Sequence, residues 1–187
     1  MSLHHYYHHL HSERLSFRQL TKDDVESWMD FYENNPNLEY LGIDLNRSNH
    51  AMATAWVDAQ LLRYRKQEFG QLAMVSKTTG ELIGTKGFNW TEYNGRKYLE
   101  AMCSVKPAYW RQGFGLEAAL SLYDFIFQHK VTDTILSTCH VSNQASQAHL
   151  VKLGFVKQED LTLSDRTVSI LLLNQQGWEN NALKRAL

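Results

Sequence analysis

The stretch Trp110-Arg111-Gln112-Gly113-Phe114-Gly115 lies between a predicted strand and a predicted helix. A loop that leads into a helix presents unpaired backbone N–H groups together with the positive end of the helix dipole. Such a helix terminus binds anions, and a diphosphate group is a natural occupant. Gly113 and Gly115 would let the backbone approach phosphate oxygens with no Cβ in between. We therefore predict an anion-binding loop, although the motif alone also fits a simple connection into a helix.

The glycine spacing differs from two common nucleotide-binding motifs. A Walker loop carries a Lys followed by Ser or Thr after its glycines, and no such pair follows here. A dinucleotide-binding GxGxxG motif would follow a parallel strand near the start of a βαβ unit. The strand before Trp110 is instead the third of a predicted antiparallel meander, with turns at residues 78–80 and 94–95. The context therefore favours another class of phosphate-binding fold.

The hydrophobic pattern around this loop predicts a mixed α/β fold. Alternating or apolar runs predict seven strands at residues 14–20, 71–76, 81–90, 97–105, 134–141, 155–161 and 167–173. Helical periodicity and capping residues predict helices that begin near Thr21 and that span residues 48–69, 116–129 and 143–153. No repeat, linker or change in composition interrupts residues 13–187, which we predict to form one domain.

Composition and charge limit the classes of function. The chain has 187 residues, 43% of them hydrophobic and 21% charged, as in ordinary globular proteins. Its formal net charge is −1, whereas nucleic-acid binding needs a basic surface that neutralises phosphates. No apolar run reaches the roughly 18 residues of a membrane-spanning helix. We therefore predict a globular protein that binds neither nucleic acid nor membrane.

Residues 1–12 are rich in His and Tyr and lack the apolar segment of a secretory signal peptide. They contain five of the nine histidines: His4, His5, His8, His9 and His11. Metal binding is one interpretation, and a disordered or tag-like leader is the other. We predict the leader, with no metal site and with any metal bound there being adventitious.

The two cysteines, Cys103 and Cys139, are far apart in sequence and lack CxxC spacing. This usage is typical of free thiols in a reducing compartment, so we predict a cytoplasmic protein. The sequence leaves a monomer and a homodimer equally open.

Taken together, these motifs resemble the GNAT superfamily of N-acetyltransferases. The loop looks like that superfamily's Gln/Arg-x-x-Gly-x-Gly/Ala pyrophosphate motif, with Trp110 at the first position. A Trp there resembles the branch of ribosomal-protein N-terminal acetyltransferases (RimJ/RimL-like). Further segments match this branch in order along the chain: Arg14–Arg18, Thr79–Gly84, Asn143–Ser146 and Leu153–Phe155. The resemblance covers residues 13–178.

The resemblance implies a fold and a donor substrate. The fold would be a central, mostly antiparallel sheet of about seven strands, splayed after the fourth strand and flanked by about four helices. Acetyl-CoA would be the cosubstrate, with its pantetheine arm beside the strand that ends at Cys103 and Val105. Its pyrophosphate would be held by the loop residues Arg111, Gln112, Gly113, Phe114, Gly115 and Leu116. Asn143 would hydrogen-bond the pantetheine, and a helix N-cap is its alternative role.

The resemblance also implies catalytic candidates for attack of a neutral amine on a thioester. The backbone N–H near Val105 would stabilise the oxyanion, and Glu100 is a candidate base, acting directly or through water. Leu150 occupies the position where many members carry a tyrosine acid, so Ser146 becomes the candidate acid. A solvent-facing role for Glu100 and a local helix role for Ser146 stay open. Because a bulge is expected in the strand of Glu100, simple alternation does not predict to which face its side chain points. His140 is a weaker candidate.

The pKa of the acceptor amine bears on its class. A model α-amino group, with a pKa of about 7.7–8.0, is roughly one-tenth neutral at pH 7, whereas lysine near 10.4 is neutral about once in 2,500. A site without an assured strong base therefore suits a protein N-terminal α-amine. Two alternatives remain: a small-molecule amine (aminosugar, polyamine or antibiotic) and a non-catalytic acyl-CoA sensor. Four aromatic residues could line the acceptor site or pack the core: Trp28, Tyr32, Tyr40 and Trp90.

Overall fold

Seven strands form one open sheet in the computed structural model, which describes residues 3–185. The strands are β1 (Leu15–Arg18), β2 (Gln71–Ser76), β3 (Leu82–Tyr93), β4 (Arg96–Val105), β5 (Thr134–His140), β6 (Val156–Thr162) and β7 (Thr167–Asn174). The helices are α1 (Leu3–His8), α2 (Asp24–Trp28), α3 (Asn49–Arg65), α4 (Phe114–Gln128), α5 (Gln144–Lys152), α6 (Gln175–Glu179) and α7 (Ala182–Arg185). The strand order is β1-β2-β3-β4-β5-β7-β6. The predicted mixed α/β fold with a seven-stranded sheet is confirmed.

The sheet splays between β4 and β5, which form a parallel pair while the other neighbouring strands are antiparallel. Their register holds only two pairs, Leu99 with Ile135 and Glu100 with Leu136. Beyond these pairs the Ser137 hydroxyl donates to the Ala101 carbonyl at 3.1 Å. Within the described part of the chain, β4 and β5 have no paired residues beyond Glu100 and Leu136. The second half of β4 therefore presents a free edge to a cleft.

The pairing of β3 with β4 fixes which way the residues of β4 point. It runs without interruption from Gly84 opposite Val105 to Tyr93 opposite Arg96, so the expected bulge in β4 is absent. Side chains on a regular strand alternate between the two faces of the sheet. Glu100 and Cys103, three residues apart, therefore lie on opposite faces.

Each face of the sheet is covered by helices, because each presents an apolar surface that must be buried. On one face, Leu72 and Phe88 pack with Tyr123 of α4 in the larger hydrophobic cluster. On the other face, Ala73 of β2 packs with residues of α2 and α3. Within residues 3–185, no helix has the length and apolar character needed to cross a membrane.

The N-terminal residues depart from the predicted disordered or tag-like leader. Residues Leu3–His8 form α1, and its Tyr6 and Tyr7 side chains are buried in the larger core cluster. The Tyr6 hydroxyl donates to the Gly70 carbonyl at 2.7 Å, and its ring meets the edge of Phe69. The leader prediction is therefore wrong for this segment, while residues 1–2 and 186–187 lie outside the described part of the chain. Among residues 3–185, no group of His, Cys, Asp or Glu is placed to hold a metal ion.

Candidate active site

The loop before α4 has the geometry of an anion site. Arg111 (φ +61°) and Gly113 (φ +82°) both adopt left-handed backbone conformations, and Gly113 is the N-cap of α4. The amides of Arg111, Gln112 and Gly113 donate to no acceptor in the described chain. Successive free amides in such a turn, at a helix N-terminus, form a concave site for an anion. The Leu116 amide, by contrast, already donates to the Gly113 carbonyl at 3.1 Å.

An ion pair from the first strand segment braces this loop. Arg14 Nε lies 2.6 Å from Glu117 Oε2, and another guanidinium nitrogen donates to the Gln112 carbonyl at 3.0 Å. The Arg14 guanidinium also stacks over the Phe114 ring at 4.3 Å. Burial raises the pKa of Glu117, but hydrogen bonds from Ser12 and Arg14 outweigh it and lower that pKa overall. Glu117 therefore stays ionised and holds the loop against β1.

Trp110, at the unusual first position of the motif, has a structural role. Its indole N–H donates to the Val105 carbonyl at 2.7 Å, which ties the loop to the end of β4. The Gln112 side chain donates to the Ala108 carbonyl at 3.0 Å. These bonds fix the loop relative to the free edge of β4, so the expected pyrophosphate and pantetheine sites are held together.

A cleft of about 660 Å³ opens where β4 and β5 diverge, and it is lined from both faces of the sheet. On the face of α4 its lining includes Cys103, Ser146 and His149. On the face of α3 its lining includes Glu100 and Thr138. The cleft thus joins the side of the anion-binding loop to the opposite side of the sheet.

Asn143 and Ser146 lie at the start of α5, beside this cleft. Asn143 is the N-cap, and its Oδ1 accepts a hydrogen bond from the Ser146 amide at 3.0 Å. The Asn143 side-chain amide nitrogen has no partner in the described chain, so capping leaves a donor for a ligand. The Ser146 hydroxyl is within hydrogen-bonding reach of the Cys139 thiol. Burial raises the pKa of Cys139 and that hydrogen bond lowers it, with a net rise.

Glu100 lies on the α3 face of the sheet, at the point where β4 and β5 begin to diverge. Its Oε1 accepts a hydrogen bond from the Thr138 hydroxyl of β5 at 2.7 Å. Burial raises the pKa of Glu100, and the bond from Thr138 only partly opposes that rise. The carboxyl group therefore faces the open cleft and is partly exposed to solvent.

The α3 side of the cleft is bounded by a turn that the sequence pattern left unassigned and by the hairpin of the two predicted closing strands. A 3-10 turn at Leu38–Leu41 brings Tyr40 onto His140, with ring centroids 4.8 Å apart. The β6–β7 hairpin brings Arg166 to the same cleft, where its guanidinium packs against Gly42. Of the four aromatic candidates, Trp28 and Tyr32 belong to the core, Trp90 is 39% exposed, and Tyr40 lines the cleft.

Comparisons with known proteins agree with this geometry. The acetyltransferase (GNAT) domain family matches residues 14–156. The chain belongs to the GNAT acetyltransferase family. It is similar to the uncharacterized N-acetyltransferase YoaA of Bacillus subtilis (strain 168), with 27% identity over 149 residues, 80% of this chain and 83% of that protein. This GNAT protein is accordingly an acetyl-CoA-dependent N-acetyltransferase.

Solved structures share its fold at low sequence identity. A protein of Vibrio cholerae assigned as a ribosomal-protein-serine acetyltransferase superposes with a TM-score of 0.73 and 20% identity, covering 88% of this chain and 96% of that one. RimL, a ribosomal L7/L12 α-N-protein acetyltransferase solved with coenzyme A, gives a TM-score of 0.72 and 16% identity, covering 87% and 95%. At these identities the likeness concerns the fold.

The residues of this acetyltransferase fit a CoA ester. The free edge of β4 at Cys103 and Val105 suits the amides of a pantetheine arm, and the unpaired amides at Arg111–Gly113 suit a diphosphate. The resemblance to the GNAT superfamily implied these positions, and their roles in binding stay predictions. The sequence analysis did not find the ion pair between Arg14 and Glu117. The two residues are 103 positions apart, and no local motif indicates that they pair.

Substituting the two loop glycines by alanine is expected to separate their roles in this GNAT protein. Gly113→Ala places a Cβ on a left-handed residue at a cost of roughly 1–2 kcal/mol, so acetyl-CoA affinity should fall about tenfold. Gly115→Ala adds a Cβ without backbone strain, 3.5 Å from Cys103 Sγ at the nearest, so a loss of affinity in that variant would report contact with the phosphates alone. Isothermal titration with acetyl-CoA measures both variants. Unchanged affinity in Gly113→Ala would argue against the loop as the pyrophosphate site.

Proposed function

We propose that this enzyme transfers the acetyl group of acetyl-CoA to the α-amine of a peptide or protein N-terminus, by direct attack in a ternary complex. The observation that carries the proposal is the cleft through the splayed sheet. It has donor-binding features on the α4 face and a half-buried carboxyl, Glu100, on the α3 face. A donor and an acceptor entering from opposite faces would meet at Glu100 without a covalent enzyme intermediate.

On the donor side, we assign binding to the loop amides, the β4 edge and Asn143. The amides of Arg111 to Gly115 hold the diphosphate, and the edge of β4 at Cys103 and Val105 pairs with the pantetheine arm. The Asn143 side-chain amide donates to the same arm. A backbone N–H near Val105 stabilises the negative charge that develops on the carbonyl oxygen. Ser146, beside the cleft at the start of α5, supplies the proton for the departing sulfur.

On the acceptor side, Glu100 is the base that removes the amine proton, directly or through one water. Its raised pKa brings it closer to the pKa of an α-amine, and a base works best when its pKa is near the operating pH. A carboxyl group is nevertheless too weak to deprotonate a lysine readily. Glu100 therefore supports a weakly basic acceptor such as an α-amine.

The charges around the acceptor side also favour a peptide. Three basic residues, Lys86, Arg63 and Arg166, line the cleft together with two acidic residues, Glu92 and Glu100. A polyamine acceptor would be attracted by an excess of acidic groups, and the lining of the cleft has no such excess. Peptide carbonyls can instead accept hydrogen bonds from the arginines.

The proposal is tested by thiol release from acetyl-CoA with matched acceptors. A panel of short peptides with free N-termini is compared with the same peptides blocked at the N-terminus but carrying an internal lysine, and with spermidine and glucosamine. We expect release only with free N-termini, and mass spectrometry should locate the acetyl group there. Faster turnover of spermidine or glucosamine would replace the peptide by a small amine. Binding of acetyl-CoA without release to any acceptor would favour a non-catalytic sensor.

The proposed compartment follows from the thiols. Both Cys103 and Cys139 are free thiols. Free thiols persist in a reducing environment. We therefore place the enzyme in the cytoplasm.

A further inference from the structure

Lys86 is a lysine buried inside the sheet. It lies on β3 directly opposite Cys103 of β4, and it is only 2% exposed. Lysine is almost never fully buried unless its charge is paired, because desolvating an ammonium group is costly. The local sequence around Lys86 is an ordinary strand pattern, so its burial is decided by the helices above it.

No carboxylate compensates the charge of Lys86 within the described chain. Its Nζ donates a long hydrogen bond, 3.5 Å, to the Tyr123 hydroxyl and lies 5.0 Å from the centroid of that ring. The other titratable groups that face it are Cys103 of β4 and His149 of α5. Burial lowers the pKa of Lys86, but its contacts with Cys103 and Tyr123 outweigh burial and give a net rise. This direction favours the ammonium form, and no carboxylate pairs with the amine within the described chain.

His149 completes this buried group but supplies no charge. Its Nε2 is buried and has no hydrogen-bond partner. Burial, followed by the nearby charges of Lys86 and Lys152, lowers the pKa of His149 to about 4. The imidazole is therefore neutral at pH 7. Lys86, Tyr123, Cys103 and His149 all line the cleft, on the same face of the sheet as the donor-binding loop.

We propose that Lys86 stabilises the negative charge on the sulfur of CoA when the acetyl group leaves. A cation without a counter-charge on the donor side of the cleft would stabilise an anion that forms there during the reaction. The departing thiolate is such an anion, and Leu150 stands where a tyrosine acid is expected. Ser146 can give a proton but no charge, so Lys86 supplies the charge. This inference rests on acetyl-CoA as the donor and is independent of the acceptor class.

The proposed step balances as follows. The amine nitrogen forms a bond to the carbonyl carbon, and its proton passes to Glu100 and then to solvent. The carbon–sulfur bond breaks, and its electron pair remains on sulfur as a thiolate beside the Lys86 ammonium. A proton delivered through Ser146 then gives the free thiol of CoA, which leaves. No oxidant, reductant or further reactant is needed.

The test measures ionisation of CoA bound to the enzyme without any acceptor. Thiolate absorbance at about 240 nm is followed against pH, with the desulfo-CoA complex as the blank for the protein's own thiols and tyrosines. A cation close to a thiol lowers its pKa, and an opposite charge within about 4–6 Å typically shifts a pKa by about 1–3 units. We expect bound CoA to ionise at lower pH than free CoA, and Lys86→Met to abolish most of that difference. A thiolate curve unchanged in Lys86→Met would overturn the proposal.

Three comparison variants test whether the change in CoA ionisation comes from the charge of Lys86. Lys86→Arg keeps the charge and should keep the shifted curve. Lys106→Met removes another buried lysine, which pairs with Asp30 at 3.0 Å and does not line the cleft, and it should leave the curve unchanged. Ser146→Ala should lower turnover while the thiolate curve stays shifted. If Lys106→Met abolished the difference in thiol ionisation between bound and free CoA as fully as Lys86→Met does, the effect would be structural and the proposal would be wrong.

A second measurement needs no variant, in case Lys86→Met does not fold. If the site favours the thiolate, the affinity of the wild-type enzyme for CoA must rise with pH between the bound and free thiol pKa values, up to tenfold per pH unit. Its affinity for desulfo-CoA should stay flat. Equal pH dependence for both compounds would overturn the inference. Failure here would leave the acetyltransferase reaction and the peptide proposal intact, because neither measurement involves an acceptor.

Discussion

Replacing Glu100 by Gln is expected to lower kcat/KM by about 10²–10⁴-fold, the range typical for loss of a general base. The amide keeps the shape of the carboxyl group and can still accept a hydrogen bond from Thr138, but it cannot take a proton. Steady-state thiol release at saturating acetyl-CoA measures the loss. Acetyl-CoA affinity should be unchanged, because Glu100 lies on the face of the sheet opposite the donor loop.

The pH dependence identifies the group responsible. Activity of the wild-type enzyme should fall as pH drops through the pKa of Glu100, which burial places above the ordinary glutamate value of about 4.3. Glu100→Gln should lack this acidic limb. Thr138→Val is the matched control: it removes the hydrogen bond that lowers the pKa of Glu100, so the limb should move to higher pH. A limb that stays in place in both variants would assign it to the acceptor amine instead.

Protein stability distinguishes a catalytic loss from unfolding. A carboxyl group whose folded pKa is raised binds protons more tightly in the folded state, so its contribution to stability is present at low pH and falls as pH rises. At neutral pH, Glu100→Gln should therefore be at least as stable as the wild-type protein. Thermal unfolding at pH 7 checks this expectation.

Replacing Tyr6 by Ala is expected to destabilise the protein by about 3–5 kcal/mol, as for other large-to-small changes of buried aromatic residues. The Tyr6 side chain is fully buried against Phe69 and Phe125, and its hydroxyl bonds to Gly70. For a chain of this length the midpoint of thermal unfolding should fall by on the order of 10 °C. This large effect would come from a segment that composition alone marks as a leader.

The matched control is Tyr6→Phe, which keeps the ring and removes only the hydrogen bond to the Gly70 carbonyl. Loss of one such bond costs about 1 kcal/mol, so the midpoint should fall by a few degrees at most. Circular dichroism melts of the two variants give the comparison. A fall in Tyr6→Ala no larger than in Tyr6→Phe would mean that α1 does not contribute to the core in solution.

Local patterns in the sequence carried much of the fold. Residues 71–76 and 97–105 were predicted as strands almost as the structure has them. A strand that is buried on one or both faces has a short apolar or alternating pattern in its sequence. The Asn143 cap and the loop at Gly113 were found for the same reason, since helix termini impose requirements on adjacent residues. The short turn at Leu38–Leu41 has no such sequence pattern, and it was not predicted.

The candidate site was predicted only as far as backbone requirements reach. The sequence by itself determined the anion-binding loop, the cap at Asn143 and the mixed α/β class, because each depends on residues a few positions apart. Tertiary structure decided that Glu100 faces the cleft, that Arg14 holds Glu117, that Tyr6 enters the core and that Lys86 is buried without a carboxylate partner. These facts depend on strand register and on helix packing between distant segments, and neither is specified by any single stretch of the chain.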